Sequence, residues 1–399
     1  MKINVNKSFP YILILSLITS AMEIDLSLPS FPDIARFFSV SEEMVERTIS
    51  INFLGFCLAS LWYGPLADRF GRRPIMLIGN CIFFIGSLGC AISTNIEMIL
   101  LFRFIQGLGA AASFVIVFTM LSDVYQGNDV TRWMGRLNAI LTTTIAAAPI
   151  LGGVLNAYFG WRGCYSVVAI CSTLSFLLIF FFLPETKKPQ DVKLKDVFQN
   201  YVTLLKSKRF LQSALVPTLL AASYFAFISV MPFFYRDVKG ISLTSFSIHQ
   251  AIIIASFSFM SYFAHRISNI FGEKKSALFG LLIPILATLS ILCITWLTPN
   301  FPVWQVTLFM CIFALSCAIG YAVVFSASLG VFPEKNGPAS SLIMTIRTFV
   351  CAGIIQLVGF LYNKTLGHTF LIISICTLLS FVLALNFYKT KDVSREIQG

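Results

Sequence analysis

The sequence predicts an all-α polytopic membrane protein, with twelve transmembrane helices in two six-helix bundles related by a pseudo-two-fold axis. Three observations lead there. The 399 residues are 57% hydrophobic and only 12% charged, with a mean hydropathy of +0.83, where a soluble domain carries about 25% charged residues. Apolar runs long enough to cross a hydrocarbon core of about 30 Å, roughly 20 residues each, recur along the whole chain. The second half also echoes the first. "RFGRRPIMLIG" (Arg69–Gly79) and "IFGEKKSALFG" (Ile270–Gly280) match at Phe70/Phe271, Gly71/Gly272, Arg73/Lys274 and Gly79/Gly280, at a constant offset of 201.

The expected spans cover residues 9–30, 45–67, 74–93, 97–122, 132–156, 163–183, 210–235, 244–266, 275–297, 302–328, 338–362 and 366–388. Residues 1–183 form the first bundle, 184–209 a polar linker, and 210–399 the second bundle with a short tail. The linker's "PETKKPQDVKLKDVF" reads as a solvated connector that holds a short surface helix.

Charge sets the orientation. Lys2, Lys7, Arg69, Arg72, Arg73, Arg132, Arg136, Lys187, Lys188, Lys193, Lys195, Lys206, Lys208, Arg209, Arg266, Lys274, Lys275, Lys335, Lys389, Lys391 and Arg395 fall in the linker, the termini and alternate loops. Only Arg36, Arg47, Arg162, Arg236, Lys239 and Lys364 fall on the other side. The positive-inside rule then puts both termini in the cytoplasm. It also accounts for the net charge of +11 without nucleic acid as a partner. The first apolar run is too long for a signal-peptide core and no small-residue cleavage site follows it, so it reads as an uncleaved anchor.

Ten cysteines lie scattered, nearly all inside apolar runs, with no CxxC pair. They read as small hydrophobes, and neither a disulfide framework nor a metal site is expected. No HExxH, GxSxG or Walker loop is present, so enzymatic chemistry and ATP as an energy source are not expected. A sensor would need a soluble domain for which the expected termini are too short.

"GPLADRFGRRP" (Gly64–Pro74) is the most specific motif. Gly64 permits close helix approach and Gly71 a tight turn, with Asp68 near a helix end among Arg72 and Arg73. The frame resembles the G-x-L-A-D-R-x-G-R-[RK] signature of the major facilitator superfamily, in the loop between spans two and three. The resemblance implies two parallel six-span repeats with a substrate site near the midplane. It also implies a latch in which Asp68, Arg72 and Asp123 cluster, stabilising the outward-facing state and breaking on inward opening. The second copy has Asn269 and Glu273 at the corresponding places, so its latch should be weaker.

Three further elements carry the resemblance. "LLFRFIQGLGAA" in span four is similar to the family's R-x-x-Q-G element. Arg103 lies about 9 Å from the outer end, where it must face protein or water; it is either a structural arginine bonded to carbonyls or, with Gln106 one turn on, a functional one. "AAAPILGG" in span five resembles the G-P-x-x-G-G element of the superfamily's antiporters, carried here by Pro149, Gly152 and Gly153, with Ala148 and Thr144 where glycines are usual. Pro149 kinks the span and the two glycines allow close packing.

"EIDLSLPSFPDIA" (Glu23–Ala35) resembles the first-span D-x-x-L-P-x-x-P element of the Bcr/CflA-type drug-resistance branch, with Asp25 as the aligned acid. Glu23 and Asp25 point about 200° apart on a helix. Asp25 and Arg103 reach similar depths, which supports an ion pair between them. Burial favours the protonated form of a carboxylate and a nearby guanidinium the ionised form. Asp25 is therefore the expected proton site, with Glu23 either a second acid facing the cavity or a rim residue in external water.

Arg347 lies about 15 Å into span eleven, as a structural clamp, a contact for anionic substrates or a partner for Glu23. Asn52, Gln106, Tyr224 and Phe225 are candidate cavity residues, with Phe227 near them. His249, His265 and His368 fall near span ends and read as interfacial.

The resemblance implies proton-coupled efflux of drugs or drug-like molecules across the cytoplasmic (inner) membrane of a bacterium. The partners are a small-molecule substrate, protons and the lipid bilayer, the chain acts as a monomer, and no cofactor is needed beyond the proton gradient. A dedicated exporter of one metabolite such as a siderophore shares this chemistry; proton-coupled uptake is disfavoured by the Pro149–Gly153 element.

Overall fold

The computed structural model describes residues 8–190, 194–298, 300–332 and 335–396. Lys2, Lys7 and Lys193 lie outside the described residues, as do the side chains of Lys391 and Arg395. The chain forms two compact units, Met1–Phe198 and Gln199–Gly399.

In the first unit, α1 (Phe9–Ser27) has a proline in its first turn, where a missing N–H is harmless. A 3-10 turn at Leu28–Ser30 leads into α2 (Phe31–Phe38), which ends on Ser39 in the left-handed region at φ 54°. α3 (Glu42–Phe70) starts where the Ser41 hydroxyl accepts from the Met44 N–H, with Glu42 and Glu43 in the positive first turn. α4 (Arg72–Ile92) follows after the single residue Gly71, whose φ of 102° suits only glycine. Asn95 caps α5 (Ile96–Val124) in the same way as Ser41. α6 (Asn128–Phe182) runs for 55 residues but breaks at Gly160, with φ 66° and ψ −176°. Its apolar part, 51 residues, would reach about 75 Å if straight, more than twice a hydrocarbon core. It is therefore two spans. Eleven helices long and apolar enough to cross a membrane thus supply twelve spans among the described residues.

α7 (Leu194–Lys206) is the amphipathic surface helix of the linker. Most of it belongs to the second unit, where the Tyr201 hydroxyl meets Ser341 and burial pushes the phenol up to about 12. Residues 185–190 instead dock on the first unit, where the Gln190 N–H donates to the Asp68 carbonyl at 3.0 Å. The linker read as a solvated connector over 184–209 thus touches the first unit near Gln190 and the second at Tyr201.

The second unit contains α8 (Lys208–Phe233), α9 (Leu243–Phe271), α10 (Glu273–Leu297), α11 (Val303–Leu329), α12 (Asn336–Leu361) and α13 (Gly367–Glu396). Gly272, at φ 84°, makes the same one-residue turn between α9 and α10 that Gly71 makes between α3 and α4. In the first unit α5 packs on α3 and α4, and α6 on α1 and α4; in the second, α11 packs on α9 and α10, and α8 on α12 and α13. Small residues set these seams: Gly280 lies against Gly320, and Gly79 against Ala112. Large apolar side chains such as Phe181, Trp296 and Phe360 remain exposed, as a lipid-facing surface requires.

Candidate functional site

A closed polar cluster sits inside the first unit. Glu23 is 2% exposed, Asn52 1%, and Arg103 and Gln106 0%. An arginine in an apolar slab stays charged and must be compensated. Arg103 Nη1 lies 3.5 Å from Glu23 Oε2 and donates to Gln106 Oε1 at 3.1 Å. Nη2 donates to Ser27 Oγ at 2.8 Å, and the guanidinium lies 5.1 Å from the Tyr165 ring centroid. Asn52 Nδ2 donates to Glu23 Oε1 at 3.1 Å and to the Arg103 carbonyl at 3.2 Å. Gln106 Nε2 donates onward to Ser87 Oγ at 3.0 Å, and the Cys90 thiol lies 3.9 Å from Gln106 Oε1.

This corrects two expectations. The carboxylate placed against Arg103 is that of Glu23, where the sequence argument put Asp25. Glu23 is also no rim residue. Depth could not decide between the acids, because two residues differ by about 3 Å along a helix. Rotational phase decides, and a single sequence does not give the phase of α1 against α5. Asp25 is also buried, at 6%, and has interactions of its own. Asn52 and Gln106, expected to line a cavity, instead hold the buried ion pair.

The antiporter-like element adjoins this cluster. Pro149, Gly152 and Gly153 are buried in the first arm of α6. Gly152 lies directly on the Leu26 carbonyl, one residue from both Asp25 and Ser27. A side chain there would meet the backbone of α1.

A second cluster occupies the end of the unit that carries Gly71. Arg72 Nη1 lies 3.0 Å from Asp68 Oδ1 and Nε 3.1 Å from Asp123 Oδ2, with the Arg72 side chain 6% exposed. The structure adds three residues that the sequence argument left in the linker. Glu185 accepts from the backbone N–H groups of Arg72 at 2.9 Å and Arg73 at 3.2 Å, the open N-terminus of α4. The Thr186 hydroxyl donates to Asp123 at 3.1 Å, and Lys187 Nζ to Asp68 at 2.9 Å. Arg73 donates to the Phe180 carbonyl at 2.7 Å. Gly64 lies half-buried four residues before Asp68. The available signal was an acid directly after Pro184 at a span end, on the same face as the Gly71 turn. Glu185→Ala is expected to lower the stability of the first unit by about 1 kcal/mol, as loss of a cap does. Thermal unfolding in detergent, with Lys188→Ala as control, checks this.

The corresponding region of the second unit is built differently. Asn269 Nδ2 pairs with His265 Nε2 at 3.1 Å, and Glu273 accepts from the Tyr388 hydroxyl at 3.3 Å. A cavity of about 800 Å³ opens there between α9 and α11, lined by Arg209, His265, Asn269 and Glu273 among others.

The remaining candidates separate. Tyr224 and Phe225 form an edge-on pair, ring centroids 5.4 Å apart, half-buried on α8. Phe227 is fully buried against Phe370 and is core. Arg347 Nη1 donates to the Tyr321 hydroxyl at 2.7 Å. His249, read as interfacial, shares a 2.9 Å hydrogen bond with the Thr307 hydroxyl, which bonds the buried Tyr235 at 2.9 Å.

Twelve apolar spans among the described residues, in two units, define a multi-pass membrane protein. The family model of the Major Facilitator Superfamily matches residues 13–355. The chain belongs to that superfamily. It is 26% identical over 376 residues to a bicyclomycin resistance protein homolog of Haemophilus influenzae, covering 93% of both chains. It is 28% identical over 348 residues to the uncharacterized MFS-type transporter YdgK of Bacillus subtilis, covering 86% of both. It is 26% identical over 375 residues to the multidrug resistance protein MdtL of a Shewanella species, covering 93% of both. Among solved structures, a D-xylose-proton symporter superposes with a TM-score of 0.76 at 14% identity, over 96% of this chain and 98% of that one. A bacterial homolog of the human lysosomal transporter Spinster, inward-facing and occupied, also gives 0.76, at 17% identity, over 97% and 98%. These likenesses show the fold.

Proposed function

We propose that this transporter exports drugs or drug-like small molecules in exchange for protons, by alternating access, with Glu23 as the proton carrier. It would act as a monomer in the cytoplasmic (inner) membrane of a bacterium, both termini inside, driven by the proton gradient without a cofactor. The names of the bicyclomycin and multidrug resistance relatives support the substrate class. The observation that carries the coupling is the Glu23–Arg103 pair. Its separation of 3.5 Å is longer than a charge-assisted hydrogen bond, and Glu23 Oε2 is buried with no hydrogen-bond donor on it. A proton on that oxygen cancels the ion pair. Arg103 then still has Gln106, Ser27 and the Tyr165 ring, so the pair has two tolerable states rather than one. The Asp68–Arg72–Asp123 cluster, with Glu185, would hold the outward-facing state.

Inverted vesicles test this. Adding bicyclomycin or another drug-like small molecule to acid-loaded vesicles should release protons in the wild type. Release should fall at least about tenfold, or about 1.4 kcal/mol of coupling, in Glu23→Gln, and less in Asp25→Asn. Undiminished release in Glu23→Gln sinks the assignment; loss confined to Asp25→Asn moves it to Asp25.

A further inference from the structure

The second unit holds an arginine with no role so far. Arg347 lies 11 residues into α12, about 16 Å along it and near mid-membrane. Helical phase turns it inward. Cys351 and Val358, buried at 0% and 1%, lie within about 40° of its direction, while Phe349 and Phe360, 61% and 72% exposed, lie about 200° and 220° away. The guanidinium therefore sits on the protein side of the helix, where lipid cannot account for it.

Its compensation is incomplete. A guanidinium offers five N–H donors, and the group bonded to it is one neutral phenol, Tyr321. No carboxylate of the second unit's described residues lies within ion-pair distance of it. The sequence explains why: between Lys208 and Leu361 the acids are Asp237, Glu273 and Glu334, all between spans. Arg103 in the first unit, by contrast, has a carboxylate, an amide, a hydroxyl and a ring. Arg347 is half-buried as a residue, and its nitrogens are not among the fully buried atoms left without a partner.

The surroundings are aromatic and flat. Tyr321 and Phe325, one turn apart on α11, stack at 5.9 Å with planes 5° apart. Phe257 of α9 meets Tyr321 edge-on at 6.3 Å. All three rings are half-buried and keep free surface. A fixed cation beside a planar wall is complementary to an anion borne on a ring.

We propose that Arg347, Tyr321, Phe325 and Phe257 form a substrate subsite for planar aromatic carboxylates, including zwitterions that carry one. The proposal rests on the transport reading and narrows its substrate class. Arg347 takes the carboxylate through two parallel N–H donors, Tyr321 holds the guanidinium in place, and Phe325 and Phe257 flank the ring. Aryl cations of the same shape are rejected by the same charge.

Purified full-length protein in detergent, titrated with 2-naphthoate, its methyl ester and 2-naphthylmethylammonium, tests this by calorimetry. The wild type should bind the carboxylate about tenfold or more tighter than the ester or the ammonium, as a charge-assisted pair requires. Arg347→Gln should lose that preference while keeping ester affinity within about twofold, and Phe325→Ala should weaken carboxylate and ester alike. Absence of a carboxylate preference in the wild type overturns the proposal, and so does its survival in Arg347→Gln. If Arg347→Gln does not fold, the wild-type preference together with Phe325→Ala decides the matter. The transport reading fails separately: carboxylate preference without drug-driven proton release leaves the subsite standing, and release without the preference removes the subsite alone.

Discussion

Arg103→Ala is expected to be the most damaging single change in the first unit, lowering stability by about 3–5 kcal/mol. Two costs combine. The side chain is fully buried, so its removal leaves a void among α1, α3 and α5. It also leaves Glu23, 2% exposed, as a bare carboxylate whose remaining donor is the Asn52 amide. An uncompensated buried charge is worse than no charge. The diagnostic variant is therefore Arg103→Ala combined with Glu23→Gln. It removes both charges and should recover a large part of the loss, although the void remains. Glu23→Gln alone should cost less than Arg103→Ala, because Arg103 keeps Gln106, Ser27 and the Tyr165 ring as neutral partners. Arg103→Lys should fall between, since an ammonium cannot reach Gln106 and Ser27 through two arms of a fork. Thermal unfolding of the four proteins in detergent measures this as a coupling between the two positions. Additive losses in the double variant would mean that the 3.5 Å pair is incidental.

That coupling also explains why an exchanger would keep charge inside a membrane helix bundle. Hydrophobic residues of equal volume would be as stable or more so. They would offer no second state, whereas a proton on Glu23 changes the charge of the cluster while its hydrogen-bonding frame of Asn52, Gln106 and Ser87 stays in place.

The apolar spans were legible because each carries its own signal in about 20 residues. Gly160 was legible only as a gap between spans, because "NAYFGWRG" is short and α6 continues on both sides of it. Asp68 and Arg72 lie four residues apart across the one-residue turn at Gly71, so their contact is nearly local and can be read from spacing. Glu185 reaches Arg72 across 113 residues, and its place as an acid after Pro184 at a span end does not say which helix end it caps. The exchange of Asp25 for Glu23 has the same origin. Periodicity shows that the two acids face different ways, but which way α5 lies is a tertiary fact. Asn52 and Gln106 showed themselves as polar residues in oil, which fits a cavity wall and a buried network equally well.

Gly152→Val should cripple the proposed proton exchange without touching a charged group. A Cβ at Gly152 would overlap the Leu26 carbonyl oxygen and stand 2.9 Å from the Leu26 carbonyl carbon. The obstacle is backbone, so no rotamer change relieves it; α6 must move away from α1. Overpacking of this kind costs about 1–3 kcal/mol. Its position matters more than its size. Leu26 precedes Ser27, whose hydroxyl accepts from Arg103 at 2.8 Å, and the Gly152 carbonyl accepts from the Cys164 thiol of the second arm at 3.5 Å. A shift here opens the contact between α1 and both arms of α6 beside the ion pair. Gly152→Ala should do the same to a lesser degree. Gly135→Val is the control, because it lies on the same arm of α6 with nothing within 4 Å of its Cβ position. Drug-driven proton release in inverted vesicles should drop at least about tenfold for Gly152→Val, equivalent to about 1.4 kcal/mol, and stay near wild type for Gly135→Val. Equal activity of the two variants would show that the close approach of α6 to α1 at Leu26 is packing alone, with no part in coupling.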